Sequence, residues 1–201
     1  MSVSHHLTDE TLQDYAVGSL GSSMETLIAC HLTVCRHCRE KAALADNIGG
    51  SLFDQYDTVP VSQLATDVLK QAKEASPEPK IPLTTVTNLK SEGVPRPLAR
   101  LLSTDLENLD WRRIAPGIKQ INLSDKPRRM GAFKLLHLAP GVVLSAHSHN
   151  DRELTYVVKG SYQDEIGRFK AGDIADLDGE VVHQPVVDTN EPCIALIASY
   201  S

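Results

Sequence analysis

The segment from Gly141 to Gly160, GVVLSAHSHNDRELTYVVKG, restricts the possible folds more than any other part of the chain. Its two histidines, His147 and His149, are separated by a single residue in a stretch typical of a β-strand. Because alternate side chains of a strand share one face, both imidazoles point to the same side. Glu153 follows a turn-like segment and can approach from the start of the next strand. Two imidazoles and a carboxylate inside a barrel suit zinc, iron, manganese or nickel.

A fourth ligand for this ion is expected on a distant strand. His183 ends a β-like run that follows a GRFKAGD hairpin, and it is the candidate for that position. The alternative is that these histidines are hydrogen-bonded inside a barrel that holds no metal.

The chain changes its periodicity at about Leu98. From there to residue 201, short β-like runs alternate with Gly, Pro, Asp and Asn turn signals, at the spacing of an antiparallel sandwich or barrel. Before it, residues 76–97 contain five prolines and predict an extended linker. Residues 1–75 have helical patterning. The sequence therefore predicts a two-domain α+β protein, with a small helical bundle at 1–75 and an antiparallel β-domain at 98–201.

Three or four helices are expected in the first 75 residues. Thr8 can cap the first helix and Gly18 can end it, while Ser22 and Glu25 form a capping box for the second. The third segment, EKAALADNIGGSLF, has helix-forming residues interrupted by a pair of glycines. A fourth helix follows Pro60, with apolar residues at one-face spacing. Such a small bundle has a thin core and often needs a metal to hold it.

The bundle contains a cluster of metal-binding residue types. On a helix His31, Cys35 and Cys38 occupy positions i, i+4 and i+7, so their side chains project from one face. They offer three of the four tetrahedral positions that structural zinc prefers. His5 or His6, both before the first helix, can supply the fourth. The alternative is that the cysteines are free and pack as small hydrophobic groups.

Cys30 and His37 lie at other angles around the helix. Cys30 is expected in the core and His37 away from the site. Cys193 on the last strand is expected to be an inert core thiol, and the alternative is a redox-sensitive thiol that faces the barrel. Three of the four cysteines fall within nine residues, which in a reducing compartment favours metal ligation over disulfides.

Charge and hydropathy exclude several classes of protein. The formal net charge of −6 makes direct nucleic-acid binding unfavourable, since lysine and arginine must neutralise phosphates. No apolar run approaches the ~20 residues of a membrane span, and the first residues lack the apolar stretch of a signal peptide. A cytoplasmic protein without a membrane partner is expected.

Two resemblances follow from these motifs. An early histidine followed by H-x3-C-x2-C resembles the zinc-binding anti-sigma domain, whose pattern falls on His31, Cys35 and Cys38, with His6 as the best match for the early histidine. The Gly141–Gly160 segment meets every fixed position of the first cupin motif, G-x5-H-x-H-x3-E-x6-G. The second cupin motif departs from the pattern, because Leu177 stands where the family has proline.

Together the two motifs resemble the arrangement of ChrR-type anti-sigma factors. The resemblance implies a non-enzyme that binds an extracytoplasmic-function sigma factor as a 1:1 heterodimer. It implies zinc at His6, His31, Cys35 and Cys38, and zinc or another divalent transition metal at His147, His149, Glu153 and His183. The cupin half would be needed for release in response to a small molecule or an oxidant, with singlet oxygen implied. The partner is expected to bury the apolar faces around Leu27, Ile28, Leu64 and Val68.

Two other functions are compatible with parts of the pattern. A metal-dependent cupin enzyme, such as a dioxygenase with a helical accessory domain, would use the same barrel ligands with an open coordination position. A DNA-binding regulator with a ligand-sensing cupin is opposed by the acidic charge and by the lack of a basic recognition helix.

Overall fold

The structure, a computed structural model, describes residues 3–57, 65–74, 93–124, 131–147, 152–177 and 182–199. Candidate ligand His149 and the apolar residue Leu64 lie outside these ranges. The helices are α1 (Asp9–Ala16), α2 (Ser22–Val34), α3 (Arg36–Phe53), α4 (Ala65–Glu74) and α5 (Arg96–Ala99), with a short 3₁₀ helix at Leu106–Asn108. The strands are β1 (Arg112–Ala115), β2 (Ile118–Asn122), β3 (Phe133–Leu138), β4 (Glu153–Lys159), β5 (Ser161–Gln163), β6 (Arg168–Lys170), β7 (Ile174–Leu177) and β8 (Cys193–Ser199).

Helix α1 begins and ends where the sequence predicts. The Thr8 hydroxyl accepts a hydrogen bond from the Thr11 N–H and so satisfies one of the unpaired amides of the first turn. Val17 is the C-cap, and Gly18 then adopts a φ of 68°, a left-handed conformation that glycine reaches without strain.

Two details of the predicted helices are wrong. Helix α2 begins at Ser22 with Gly21 as its N-cap and without a side-chain cap, so the expected capping box does not form. Helix α3 runs without interruption through Gly49 and Gly50. A glycine pair inside a helix costs roughly 1 kcal/mol per residue relative to alanine, which lowers the stability of a helix without having to end it.

The carboxy-terminal half is an antiparallel β-structure. Six strands form one sheet in the order β1-β2-β3-β8-β4-β7, and β5 pairs with β6 in a separate hairpin. Strand β8 lies at the centre, with Leu196 opposite Leu135 of β3 and opposite Tyr156 of β4. The predicted antiparallel β-domain is confirmed.

Strand β8 is buried on both faces. Ile194, Leu196 and Ala198 pack with the helices, whereas Cys193 and Ile197 pack on the other face with β5 and β6 residues. A strand that is covered on both faces has apolar side chains at nearly every position. This explains the continuous apolar sequence of β8, CIALIAS.

The helices lie against one face of the sheet and share a core with it. Leu27 and Ile28 of α2 are fully buried, in the same cluster as Leu154 and Leu196 of the sheet. Of the predicted linker, residues 93–95 precede α5 and Arg96 and Pro97 already lie within it, and Leu98 of the same helix joins this core.

Polar contacts join α1 to the sheet as well. Asp176 accepts hydrogen bonds from the Thr8 N–H at 2.9 Å and from the Thr11 hydroxyl at 2.6 Å. Arg152 forms ion pairs with Glu10 at 2.9 Å and with Asp14 at 2.8 Å. None of the helices in the described part of the chain is long and apolar enough to span a membrane.

Candidate metal centre and partner surface

Four side chains from three separate segments meet near the amino terminus. The ligand atoms of His6, His31, Cys35 and Cys38 all lie within 4.8 Å of one another. His6 Nδ1 lies 3.2 Å from Cys35 Sγ and 3.8 Å from Cys38 Sγ, and His31 Nε2 lies 3.3 Å from Cys38 Sγ. The two imidazoles and two thiols therefore face a common centre.

Three of these residues do not lie on one continuous helix, which corrects the expected geometry. Helix α2 ends at Val34, and Cys35 adopts an extended conformation (φ −95°, ψ 104°) before α3 begins. The Cys35 thiol takes the place of a capping oxygen, because the Cys38 N–H points at its sulfur at 3.4 Å. The break turns both thiols toward His31, which lies in the last turn of α2.

The donor set fits a tetrahedral structural metal. With zinc–sulfur and zinc–nitrogen bonds of about 2.3 and 2.0 Å, neighbouring ligand atoms lie roughly 3.4–3.8 Å apart, close to the separations observed. His31 and Cys38 are fully buried and Cys35 nearly so, whereas His6 closes the site from the surface. These four residues could hold a metal ion.

Burial shifts the pKa values of the histidine and cysteine side chains in opposite directions. It lowers the pKa of His31 to about 4, an effect opposed by the hydrogen bond to the Gly172 carbonyl, so the imidazole is neutral at pH 7. Burial also raises the pKa of the Cys38 thiol to about 12. A metal binding there displaces the thiol proton, because the thiolate is the ligand.

The neighbouring histidines have other surroundings. The His5 ring stacks on Phe169 at 4.0 Å, so of the two early histidines it is His6 that joins the cluster. His37 is exposed, and its ring lies 4.7 Å from that of His6 without joining the four. Cys30 is buried in the core, as expected, and burial raises its pKa to about 12.

The second candidate site is described in part. His147 and His183 face each other across an antiparallel bridge, with ring centroids 4.7 Å apart. Glu153 is the first residue of β4. Burial raises its pKa, while the charges of Lys134, His147 and His183 lower it.

Asp164 is a residue of this region that sequence reasoning missed. Its buried Oδ2 lies 3.1 Å from His183 Nδ1, and its Oδ1 accepts hydrogen bonds from the N–H groups of Ile166 and Gly167. The only signal in the sequence is an aspartate three residues before a turn glycine, and this pattern indicates a turn rather than a binding site.

The apolar surface left for a partner differs from the predicted one. Leu27 and Ile28 are fully buried against the sheet, so the prediction that they contact a partner is wrong in this arrangement. Val68 of α4 is exposed, together with Leu69. A larger exposed set, the α3 strip, has side chains between 53% and 78% exposed and consists of Leu44, Ile48, Leu52 and Phe53 of α3 and Tyr56 in the turn after it.

Most side chains of the α3 strip point to the same side of the helix. Leu44, Ile48 and Leu52 are four residues apart, which aligns them along one face of α3. Exposed apolar patches of this kind mark interaction surfaces.

Comparisons with known proteins agree with this architecture. The family model described as the ChrR Cupin-like domain matches residues 100–200. Anti-sigma-E factor ChrR of Cereibacter sphaeroides is 31% identical, over 99% of this chain and 91% of that protein. The crystal structure of Rhodobacter sphaeroides SigE in complex with the anti-sigma ChrR aligns with a TM-score of 0.80 and 31% identity, covering 98% of this chain and 100% of that one. The chain belongs to the ChrR family of anti-sigma factors.

Proposed function

We propose that this chain binds one copy of an extracytoplasmic-function sigma factor in the cytoplasm and keeps it from RNA polymerase. The observation that carries the proposal is the similarity, over nearly its whole length, to a ChrR chain whose structure is a complex with SigE. The helical half and the cupin half are both covered, so the relationship is not one of cupin fold alone.

The amino-terminal metal ligands are proposed to shape the helical half of the chain, which binds the sigma factor. His6, His31, Cys35 and Cys38 are proposed to hold zinc, supported by their two-nitrogen, two-sulfur donor set and their separations. When bound, zinc supplies a tetrahedral tie between the segment before α1 and the junction of α2 and α3. Because Cys38 lies in the first turn of α3, its ligation fixes the direction of that helix.

The sigma factor is proposed to cover the α3 strip together with Val68 and Leu69 of α4. These side chains are among the most exposed large apolar groups of the described helical half, whereas Leu27 and Ile28 of α2 are covered by the sheet. Helices of the partner would pack on them as on a hydrophobic groove.

The cupin half is proposed to receive the signal that releases the sigma factor. His147, His149, Glu153 and His183 would hold zinc or another divalent transition metal. The described members support this, since His147 and His183 are adjacent and their charges act on Glu153. Singlet oxygen or a related oxidant is the proposed signal.

Cysteine variants test the zinc-dependent clamp. The chain is co-expressed with an extracytoplasmic-function sigma factor of the same genome, and the complex is measured by size-exclusion chromatography and zinc analysis. Cys35→Ser and Cys38→Ser should each abolish zinc at this site and sigma binding, because each removes a thiolate ligand. His147→Ala should leave the complex intact.

Cys30→Ala is the matched control. It removes a cysteine of the same helical half that lies in the core and outside the ligand group, so zinc and sigma binding should persist. Sigma binding by Cys35→Ser as tight as that of the parent chain would show that zinc does not shape the binding half.

A further inference from the structure

The turn between β6 and β7 reaches from the cupin half to the amino-terminal ligands. It comprises Ala171, Gly172 and Asp173, and it lies beneath the end of α2 and the segment before α1. Gly172 has a φ of 96°, a left-handed conformation that side-chain-bearing residues rarely adopt. That conformation is fixed by a hydrogen bond from the Gly172 N–H to the Val157 carbonyl at 2.9 Å.

The Gly172 carbonyl determines which nitrogen of His31 faces the metal centre. His31 Nδ1 lies 2.9 Å from this carbonyl oxygen, and the ring is fully buried. A carbonyl can only accept, so Nδ1 carries the proton and Nε2 presents its lone pair. Nε2 is the atom that lies 3.3 Å from Cys38 Sγ. Such hydrogen bonds from the far side of a ligating imidazole fix its tautomer and orientation.

Asp173, the next residue, holds the backbone that leads to His6. Its Oδ1 accepts hydrogen bonds from the N–H groups of Ser4 at 2.6 Å and His5 at 3.2 Å. Its Oδ2 accepts one from the Lys170 N–H at 3.0 Å. Burial acts to raise the pKa of Asp173, but these N–H groups and the nearby His5 ring together hold it below the usual value, so the carboxylate stays ionised at pH 7.

We infer that Gly172 and Asp173 of the cupin half are positioning residues for the amino-terminal metal site. One orients the ring of His31 and the other anchors the two residues before His6, so two of the four ligands depend on a turn outside the helical half. The inference rests on the proposed metal site and adds to it the physical link by which the cupin half acts on that site.

Strand β7 connects this turn to the second candidate site. It runs from Ile174 to Leu177, and Leu177 pairs with Glu153 of β4. A displacement of Glu153 that moves β7 would therefore move the turn that holds the amino-terminal ligands. Because coupling free energies are reciprocal, metal binding at the amino terminus must in return favour the position of the turn seen here.

Cobalt binding by the full-length chain tests the role of Asp173. The thiolate-to-cobalt charge-transfer absorption reports the amino-terminal site alone, because the candidate cupin ligands include no thiolate. Asp173→Asn should weaken cobalt and zinc binding at this site by about 10–100-fold, the usual effect of removing a group that helps to orient metal ligands. The band positions should stay those of the parent, since the four ligands are unchanged.

Asp176→Asn is the matched control. Asp176 also joins the halves, but it contacts Thr8 and Thr11 and neither holds the segment before His6 nor touches His31. It should leave metal affinity at the parental value while lowering overall stability. A parental affinity in Asp173→Asn, or an equal loss in both variants, would overturn the inference.

Hydrogen exchange in the unsubstituted chain provides a second test that requires no variant. With zinc at saturation, the amides of Gly172 and Asp173 should exchange more slowly than with zinc limiting, while those of the distant β1–β2 pair stay unchanged. Equal rates at the turn, or a uniform change that includes β1 and β2, would contradict a specific link. A parent chain without a thiolate–cobalt band would overturn the metal site itself, a result distinct from failure of Asp173→Asn alone.

Discussion

Protons and metal compete for the thiol of Cys38. Burial raises its pKa to about 12, so near neutral pH the metal-free thiol is protonated and must lose its proton when metal binds. The neutral His31 ring has no proton to release from Nε2, because burial holds its pKa at about 4.

We therefore predict that zinc affinity at this site rises with pH. The affinity should increase by at least about tenfold per pH unit between pH 6 and 8, since each displaced proton contributes that factor. Competition with a chromophoric chelator measures the slope. His147→Ala should keep it, and a pH-independent affinity would mean that Cys38 is not a ligand.

At the residue scale, the sequence predicts which residues form the metal-ligand cluster but not the backbone geometry that brings them together. The spacing of His31, Cys35 and Cys38 was sufficient to name three members of the cluster. The break at Cys35 was not predictable, because neither glycine nor proline marks it and a thiol that caps a helix leaves no propensity signal. Nothing local in the sequence indicates the hydrogen bond of His31 to Gly172, a contact between residues 141 positions apart.

The proposed sigma-binding residues of α3 lie on one face of the helix, so substitutions on that face and on the opposite face can be compared. Ile48→Glu places a carboxylate in the middle of the α3 strip, where Ile48 is 59% exposed and packs little in the free chain. We expect at least a 100-fold loss of sigma affinity, as for a desolvated charge at an interface centre, with the unfolding midpoint of the free chain unchanged. Isothermal titration calorimetry and thermal denaturation measure the two effects.

Ala43→Glu supplies the control for the same helix. Ala43 is exposed and lies roughly opposite Ile48 around the helix axis, so the added charge points away from the strip. Equal sigma affinity in both variants would remove the strip from the binding surface.

The glycine pair of α3 offers a different prediction. A Cβ added at Gly49 or Gly50 meets no heavy atom within 4 Å. Each Gly→Ala substitution should therefore raise the free energy of unfolding of the chain by about 0.8–1 kcal/mol, the difference in helix propensity. Urea denaturation followed by helical circular dichroism measures it, and a loss of stability would show that α3 is not continuous through the pair.

The molecule as a whole has one core under both halves. Leu27 and Ile28 of α2 pack with Leu154 and Leu196 of the sheet, so the helices and the sheet should unfold together. Helical circular dichroism and the fluorescence of Trp111, which packs beside the sheet, should give coincident transitions. Leu27→Ala should lower both by the same amount, about 2–5 kcal/mol of stability. Two separated transitions would contradict a shared core.

This shared core is the largest feature that the sequence did not predict. The sequence periodicity of α2 predicted an apolar face, but an apolar face indicates only that the helix packs against another surface. The pattern cannot tell whether a partner or the chain's own sheet covers it. The two-domain reading favoured a partner, whereas the structure covers Leu27 and Ile28 with the sheet.

The exposed α3 strip has a consequence for the chain when its partner is scarce. Chaperones and proteases recognise exposed apolar segments that no partner covers. Copies made in excess of the sigma factor would therefore be degraded or would aggregate. The cellular amount of this protein would then follow the supply of its partner, and balanced synthesis of the two would be a requirement imposed by a single row of side chains on one helix.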